Sequence, residues 1–504
     1  MISISASLVG RIAGPIAFGL ILLFVHPEGM TPEANGVLAA TAWIAIWWVT
    51  EAIPIAATAL LPIVLFPLTG AVDLQSTTVQ YGHRYIFLYI GGFLIAIAIE
   101  KWGLHRRIAL NIIRLIGTNI TSIILGFMIA TAGLSMWISN TATAVMMLPI
   151  GMAIVAQLRD NPKTQADENQ VFGKALMLAI AYSASIGGMA TLVGTPPNLV
   201  LAGVIQETYG IEISFFQWFK FGLPISLILL ALCWVYLTQV AFRFRQKSFP
   251  GGREEIQQQL DALKGFSWEE QLLLGVFLLT ACAWIFRDFV QKQLGLFLLV
   301  DDTIIAMIGG LCLFLLPSRR SLENGKREAL LTWEDTTHLP WGIVLLFGGG
   351  MALAQGFQST KLAEWIGSQM TLLESVSLVL LVLILIAAVN FLTEITSNLA
   401  TTSMLMPVLT SMALSMNVHP FLLMVGATVA ASCAFMLPVA TPPNAVVFGS
   451  GCLRIPDMAR TGFWMNVISI LVVTLFVYAV LPIVWGIEIE TFPDALRPAP
   501  DTSP

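Results

Sequence analysis

Thr195-Pro196-Pro197-Asn198 and Thr441-Pro442-Pro443-Asn444 place the same four residues in two separate hydrophobic runs. Each is preceded along the chain by another apolar run carrying a Ser-Asn pair, Ser139-Asn140 and Ser397-Asn398. A proline pair cannot continue a helix, because proline lacks an N–H and its ring clashes with the preceding turn. Broken backbone at membrane depth is tolerated only where protein buries it or where it lines a wet cavity. Two broken segments in corresponding halves point to the binding site of a secondary transporter. The chemistry on offer is that of neutral oxygens. Ser139, Asn140, Thr141, Thr195 and Asn198 bring hydroxyls and amides from the first half. Thr393, Thr396, Ser397, Asn398, Thr441 and Asn444 bring them from the second. None of these positions is Lys or Arg. Such oxygens, with carbonyls freed at the breaks, suit a small hard cation such as sodium. The N-termini of half-helices suit an anion, through free N–H groups and the helix dipole. A site with both features can couple sodium to an anionic substrate without a fixed basic side chain.

The elements that must hold these loops are apolar. The chain of 504 residues is 57% hydrophobic and 11% charged, with mean hydropathy +0.83. This is the balance of a polytopic helical membrane protein. The net charge of -5 gives no nucleic-acid signature. The five cysteines form no CxxC pair and read as small core residues. Spans are expected near 11–27, 85–100, 217–242, 268–287, 298–316, 340–357 and 461–486. The first is read as a transmembrane helix rather than a cleaved leader. The Pro-punctuated stretch 37–69 is expected to hold two shorter spans. Broken spans are expected at 173–205 and 419–448, and re-entrant hairpins with Ser-Asn tips at 120–158 and 371–415.

The basic residues set an orientation. With eleven spans and an inside N-terminus, inside loops carry 19 of the 25 Lys plus Arg. Only Arg84, Lys220, Arg287, Lys292, Lys361 and Arg497 fall outside. This predicts a cytoplasmic N-terminus and an extracytoplasmic C-terminus. The halves also repeat. Gly92 to Ser139 is 47 residues, and Gly349 to Ser397 is 48. Asn140 to Pro196 is 56, and Asn398 to Pro442 is 44, the excess falling in a polar loop near 159–172.

Ser139-Asn140-Thr141, followed by Ala142-Thr143-Ala144-Val145-Met146-Met147-Leu148-Pro149, resembles the first signature of the divalent anion/sodium symporter family. Phe391-Leu392-Thr393-Glu394-Ile395-Thr396-Ser397-Asn398 resembles the second. The segments Trp47–Pro54 and Gly103–Arg107 also look like family segments, and the resemblance covers roughly 35–485. It implies a homodimer of all-α, inverted-repeat protomers, with about eleven transmembrane helices and two re-entrant hairpins. In this plan a transport domain carries the site past a scaffold like an elevator. The implied scaffold is 1–118 and 268–370, and the implied transport domain is 119–243 and 371–487. A cytoplasmic linker would occupy 244–267, and a disordered extracytoplasmic tail 488–504. By match, one sodium site would use Ser135, Ser139, Asn140 and Gly194. The other would use Thr393, Thr396, Asn398 and Ala440. Substrate would meet Asn140, Thr141, Thr195, Ser397, Asn398, Thr441 and Pro442.

One position departs from the family. Leu399 stands where relatives usually carry a hydroxyl, so a substrate contact is missing or supplied by Thr401 or Thr402. Losing one donor changes which anion fits. The expectation is a sodium symporter of four-carbon dicarboxylates in a bacterial inner membrane, with no organic cofactor. A citrate or sulfate transporter, an exchanger and a proton-coupled carrier on the same fold remain as alternatives. An exchanger would gain fixed positive charge near the site, and none is present in these loops. An aspartyl or zinc intramembrane protease would need paired buried aspartates or HExxH, and neither occurs. Glu51 and Glu394 lie in apolar runs, are expected to be buried, and are functional candidates by default, with a hydrogen bond that ties a helix to its neighbour as the structural alternative for each. Glu394 is expected either to bias the second cation site, to take up a proton, or to tie a helix to its neighbour. Asp301-Asp302 is expected as an interfacial pair at the start of a span.

Overall fold

The computed structural model describes residues 6–117, 119–159, 166–244, 252–263, 265–321, 327–369 and 377–497. Lys163, Arg245, Lys247, Lys264 and Lys326, used in the orientation argument, lie outside the described residues. So does the tail from residue 498.

The first half opens with α1 (Ala6–Phe24) packed on α2 (Pro32–Thr50). Next come α3 (Ile55–Thr58), α4 (Leu61–Thr69), α5 (Leu74–Val79), α6 (Arg84–Lys101) and the amphipathic α7 (Leu104–Ile116). The stretch 37–69 is therefore two helical pieces parted at Glu51–Pro54, as its prolines require. Then α8 (Ile120–Ser135) and α9 (Asn140–Arg159) form a helical hairpin with Ser139 in its turn. The broken span follows as α10 (Ala166–Gly188) and α11 (Pro196–Tyr209), and α12 (Phe215–Val235) ends the half.

The second half repeats this order. A connecting helix, α13 (Gly252–Ala262), leads into α14 (Trp268–Leu294), α15 (Asp302–Leu315), α16 (Trp341–Ser359) and α17 (Leu362–Ser368). Its hairpin is α18 (Leu378–Leu392) and α19 (Asn398–Ser415). Its broken span is α20 (Pro420–Ala431) and α21 (Pro442–Phe448). It closes with α22 (Ile455–Leu475) and α23 (Leu481–Trp485).

Two expectations need correction, the wholly α fold and the disordered tail, and the linker proves to hold a helix. The chain is nearly but not wholly α, because β1 (Pro317–Ser321) and β2 (Arg327–Ala329) pair antiparallel. This ribbon follows the apolar part of α15, where hydropathy carries no signal. Backbone bonds from Leu330 to Leu316 and from Leu331 to Leu313 fasten it there. The linker 244–267 holds α13, which buries Ile256 and Leu260. Arg107 of α7 donates to the carbonyls of Leu263 and Gly265 just beyond it. Finally, 488–497 is not loose. The carbonyl of Ile489 accepts from His419 N at 3.1 Å, and Phe492 is buried.

Among the described residues, seven helices are long and apolar enough to cross a membrane, and five shorter apolar helices accompany them. α1 shows one reason the composition is so apolar. Ile12, Ile16, Leu20 and Leu23 recur at helical spacing and are all about half exposed or more. The described residues of the protomer leave that face uncovered. Charges gather at the two ends of α6. At its C-terminal end, Lys101 pairs with Glu328 and Asp335, both at 2.7 Å. At its start, Arg84 meets Glu212 and Asp301. Eighteen residues of helix separate these clusters, roughly 27 Å at the helical rise. Asp301 caps α15 through Ile304 N, and the buried Asp302 accepts from Phe215 N at 2.6 Å. The pair thus sits at the start of its helix, as expected.

The matched glycine pairs are crossing points, where small residues let helices approach. A Cβ on Gly91 would lie 2.6 Å from the backbone carbon of Ala306 in α15, and one on Gly349 would lie 2.5 Å from the carbonyl of Ala59. Gly91→Ala should therefore lower the thermal midpoint in detergent, by an overpacking cost of about 1–3 kcal/mol. Gly19→Ala, which meets nothing within 4 Å, should leave the midpoint unchanged.

Candidate functional site

Four helices begin at one place. α9 starts at Asn140, α11 at Pro196, α19 at Asn398 and α21 at Pro442. All four starting residues line a single cavity of about 740 Å³. The two Pro-Pro steps do not merely stop helices. They open new ones, at the first helical positions, where a missing N–H costs nothing. The preceding residues have nearly the same backbone, φ -142° and ψ 138° at Thr195, φ -140° and ψ 150° at Thr441. Ser139, Thr141, Gly194, Thr195, Thr396, Ser397, Ala440 and Thr441 also line the cavity.

The remaining wall comes from 1–118 and 268–370, through Thr50, Glu51, Tyr89 and Phe93 and through Pro340, Ile343 and Leu346. No Lys or Arg occurs among the described lining residues. Glu51 contradicts its expected burial. It is exposed on the cavity wall and ends α2 with φ +47°, a left-handed cap. The helix breaks there ahead of Pro54, and the carboxylate escapes the apolar interior.

Behind the lining lie two matching oxygen triads. Ser135 Oγ is 2.5 Å from Asn140 Oδ1 and 2.7 Å from the carbonyl of Ala184. Thr393 Oγ1 is 2.6 Å from Asn398 Oδ1 and 3.0 Å from the carbonyl of Ala431. A hydroxyl has one proton to donate. Each triad therefore holds one more acceptor than it has protons to share, which is an electron-rich cluster suited to a small cation. Ser135 and Thr393 are fully buried and reach the cavity only through the asparagines. Glycines fix the first triad's surroundings. A Cβ on Gly188 would meet Asn140 Oδ1 at 2.5 Å, and one on Gly194 would meet the carbonyl of Gly188 at 2.5 Å.

Other polar residues brace the loops. Asn198 Nδ2 donates to the carbonyl of Thr191 at 2.8 Å, and Asn444 Nδ2 to that of Leu437 at 3.0 Å, seven residues back in both cases. Both asparagines are fully buried and do not line the cavity. Thr396 spends its hydroxyl on the carbonyl of Leu392 and on Thr401 Oγ1, leaving its carbonyl as the group it can turn to a cation. Thr401 and Thr402 are buried, and Thr402 donates to the carbonyl of Asn398. Neither lines the cavity, so neither replaces the hydroxyl lost at Leu399. Thr141 is exposed to the cavity, whereas Leu399 touches it at only 5% exposure. The carbonyls of Ala184 and Ala431 escaped sequence reasoning, because alanine advertises no chemistry.

The geometry defines a membrane transporter whose site lies at the meeting of broken helices. The chain matches the family described as the sodium:sulfate symporter transmembrane region over residues 5–486, and it belongs to that divalent anion/sodium symporter family. It is similar to the sodium-dependent dicarboxylate transporter SdcS of Staphylococcus saprophyticus, with 46% identity over 96% of this chain and 93% of that protein. The SdcS of Staphylococcus aureus strain USA300 is similar to the same degree and over the same shares. Among solved structures, the fold resembles MtrF of Neisseria gonorrhoeae, at TM-score 0.54 and 12% identity over 94% of each chain. It also resembles the YdaH transporter of Alcanivorax borkumensis, at TM-score 0.55 and 14% identity over 82% of this chain and 88% of that one. The protein is a transporter and not an enzyme.

Leu399→Thr gives the second half the hydroxyl that Thr141 gives the first. Its competition profile against labelled succinate should shift among unlabelled succinate, citrate and sulfate. A profile identical to wild type would mean that position 399 does not meet the anion.

Proposed function

We propose that the protein is a sodium-coupled symporter of C4-dicarboxylates such as succinate, malate or fumarate. The observation that carries this is the convergence of four helix N-termini on a cavity without a basic side chain among its described lining residues. The dipoles and free N–H groups favour an anion, yet they do not neutralise a dianion. The missing positive charge comes from sodium held at the two triads. One cation takes Ser135, Ser139, Asn140 and Gly194, and the other takes Thr393, Thr396, Asn398 and Ala440. The dianion meets Asn140, Thr141, Thr195, Ser397, Asn398, Thr441 and Pro442. Asn140 and Asn398 serve both ligands, so each ligand improves the site for the other, which is the linkage that symport needs. The names of the similar staphylococcal proteins support sodium and a dicarboxylate.

The cavity is lined both by residues of 119–243 and 371–487 and by residues of 1–118 and 268–370. We assign the first pair as a transport domain with two re-entrant hairpins and the second as the scaffold of a homodimer. Its volume exceeds what a four-carbon dianion fills, as befits a site open to one side of the membrane. Sliding the transport domain along the scaffold would expose the site to the other side. The N-terminus is assigned to the cytoplasm from the basic-residue bias.

Labelled succinate uptake into proteoliposomes tests the reading. Uptake should require an inward sodium gradient, fail with choline, and need no internal substrate. Uptake that needs internal substrate and ignores sodium would make the protein an exchanger. Asn140→Ala should abolish sodium-driven uptake while the purified protein stays monodisperse, because both ligands lose a shared side chain. Normal sodium-driven transport by this variant would overturn the site assignment.

A further inference from the structure

The two halves match at the triad hydroxyl and diverge at the very next residue, where Met136 follows Ser135 and Glu394 follows Thr393. In the first half, the hairpin turn is tied to the broken span by a neutral bond. Thr191 Oγ1 donates to the carbonyl of Met136 at 2.5 Å. In the second half, the tie is the Glu394 carboxylate, which is 3% exposed. Its Oε1 accepts from the backbone N–H of Phe435 at 2.8 Å, from that of Met436 at 2.9 Å and from Asn466 Nδ2 at 2.7 Å. Its Oε2 accepts from the N–H of Leu437 at 3.0 Å. Four donors surround a buried charge that would otherwise be costly.

These bonds change the carbonyl in the second triad. In an unbroken helix, the N–H of Phe435 would meet the carbonyl of Ala431 four residues back. α10 runs four residues past Ala184, to Gly188, but α20 stops at Ala431 itself. The break in the second half is accordingly longer, ten residues (432–441) against seven (189–195). Glu394 Oε1 and, at 3.2 Å, Asn466 Oδ1 together take the N–H of Phe435, with Glu394 the nearer acceptor, and so keep the carbonyl of Ala431 out of a helical bond. That carbonyl is the one facing Thr393 Oγ1.

We propose that Glu394 is a positioning residue that builds the second cation site and makes it the stronger of the two. This rests on the sodium-symport reading above. Glu394 is assigned no ligand role, because four donors already converge on its carboxylate. It acts by freeing the carbonyl of Ala431 and by placing a negative charge one residue from Thr393 in a low-dielectric interior. The first site has no such charge. The second site therefore fills at lower sodium and before the anion arrives, while the first depends on the dianion for its charge balance.

The test uses the full-length protein. Thermal stability in detergent is titrated with sodium chloride against choline chloride at constant ionic strength, without and then with succinate. Glu394→Gln should raise the half-saturating sodium for anion-free stabilisation by about tenfold or more. It should raise the succinate KM at saturating sodium by less than that. Glu394→Asp, which keeps the charge with a shorter reach, should recover some of the sodium affinity. A Glu394→Gln sodium curve that superimposes on wild type overturns the proposal, and so does an Asp variant as weak as the Gln variant. If the Gln variant does not fold, Asn466→Ala carries the test. It withdraws one donor to Glu394 and the second acceptor of the Phe435 N–H, but keeps the carboxylate and its own bond to that N–H, so its sodium half-saturation should stay within about threefold of wild type. A larger shift would assign the effect to packing and overturn the proposal. Wild-type uptake is run in parallel, and its indifference to sodium would overturn the symport reading instead.

Discussion

A backbone broken inside an apolar protein leaves N–H and C=O groups that water cannot reach, and every one must find a partner. The rest of this structure is arranged around that constraint. The prolines at 196–197 and 442–443 reduce the demand, because they open helices at positions that need no N–H bond. Asn198 and Asn444 turn back to hold the carbonyls of their own loops. Thr191 and Glu394 tie the loops to the hairpin turns. The carbonyl of Ala431 is left over, and it stands with the carbonyl of Ala184 and the side chains of the two hairpin asparagines at the cation sites of the proposed function.

This explains why no Lys or Arg stands among the described residues lining the site. A lysine or arginine at its centre would bind a dianion firmly and keep it. Under the proposed function, helix dipoles and the oxygen triads instead make affinity conditional on a second ligand, and conditional affinity is what coupled transport requires. The two halves supply equivalent components, but not identical ones. Thr141 in the first half corresponds to Leu399 in the second, and a carboxylate stands behind only the second triad. Duplicated architecture with unequal chemistry allows the two proposed cation sites to do different work.

The wall facing the site has its own logic. Glu51 and Pro54 break α2 where it would otherwise pass through the apolar layer, and they open a place at the cavity for a carboxylate. Glycines at 91 and 349 bring the surrounding helices close enough to support that wall. The cavity lies between elements from different regions of each half, so relative movement of those regions changes its shape.

The class, the repeat and most of the polar residues at the cavity were legible in the chain read as a string. Bilayer-length apolar runs, matched prolines and matched Ser-Asn pairs are local signals, and local signals survive in one dimension. The helical hairpins and both broken spans were legible too, since proline's missing N–H acts wherever it stands. Glu51 was misplaced, because it counted as buried only through its apolar neighbours. The ribbon at 317–329, the helix at 252–262 and the docking of 488–497 were missed, because they lie outside the hydrophobic pattern. Which oxygens stand together was a matter for the folded chain alone. Ala184 and Ala431 contribute through backbone carbonyls that no side chain marks, and Thr401, a plausible substitute in sequence, spends its hydroxyl on Thr396. In sequence Glu394 could bias the second cation site, carry a proton or tie a helix to its neighbour, and its partners lie about 40 to 70 residues away in the chain. Hydrogen-bond satisfaction is settled in three dimensions, and there the four donors around Glu394 make it a tie.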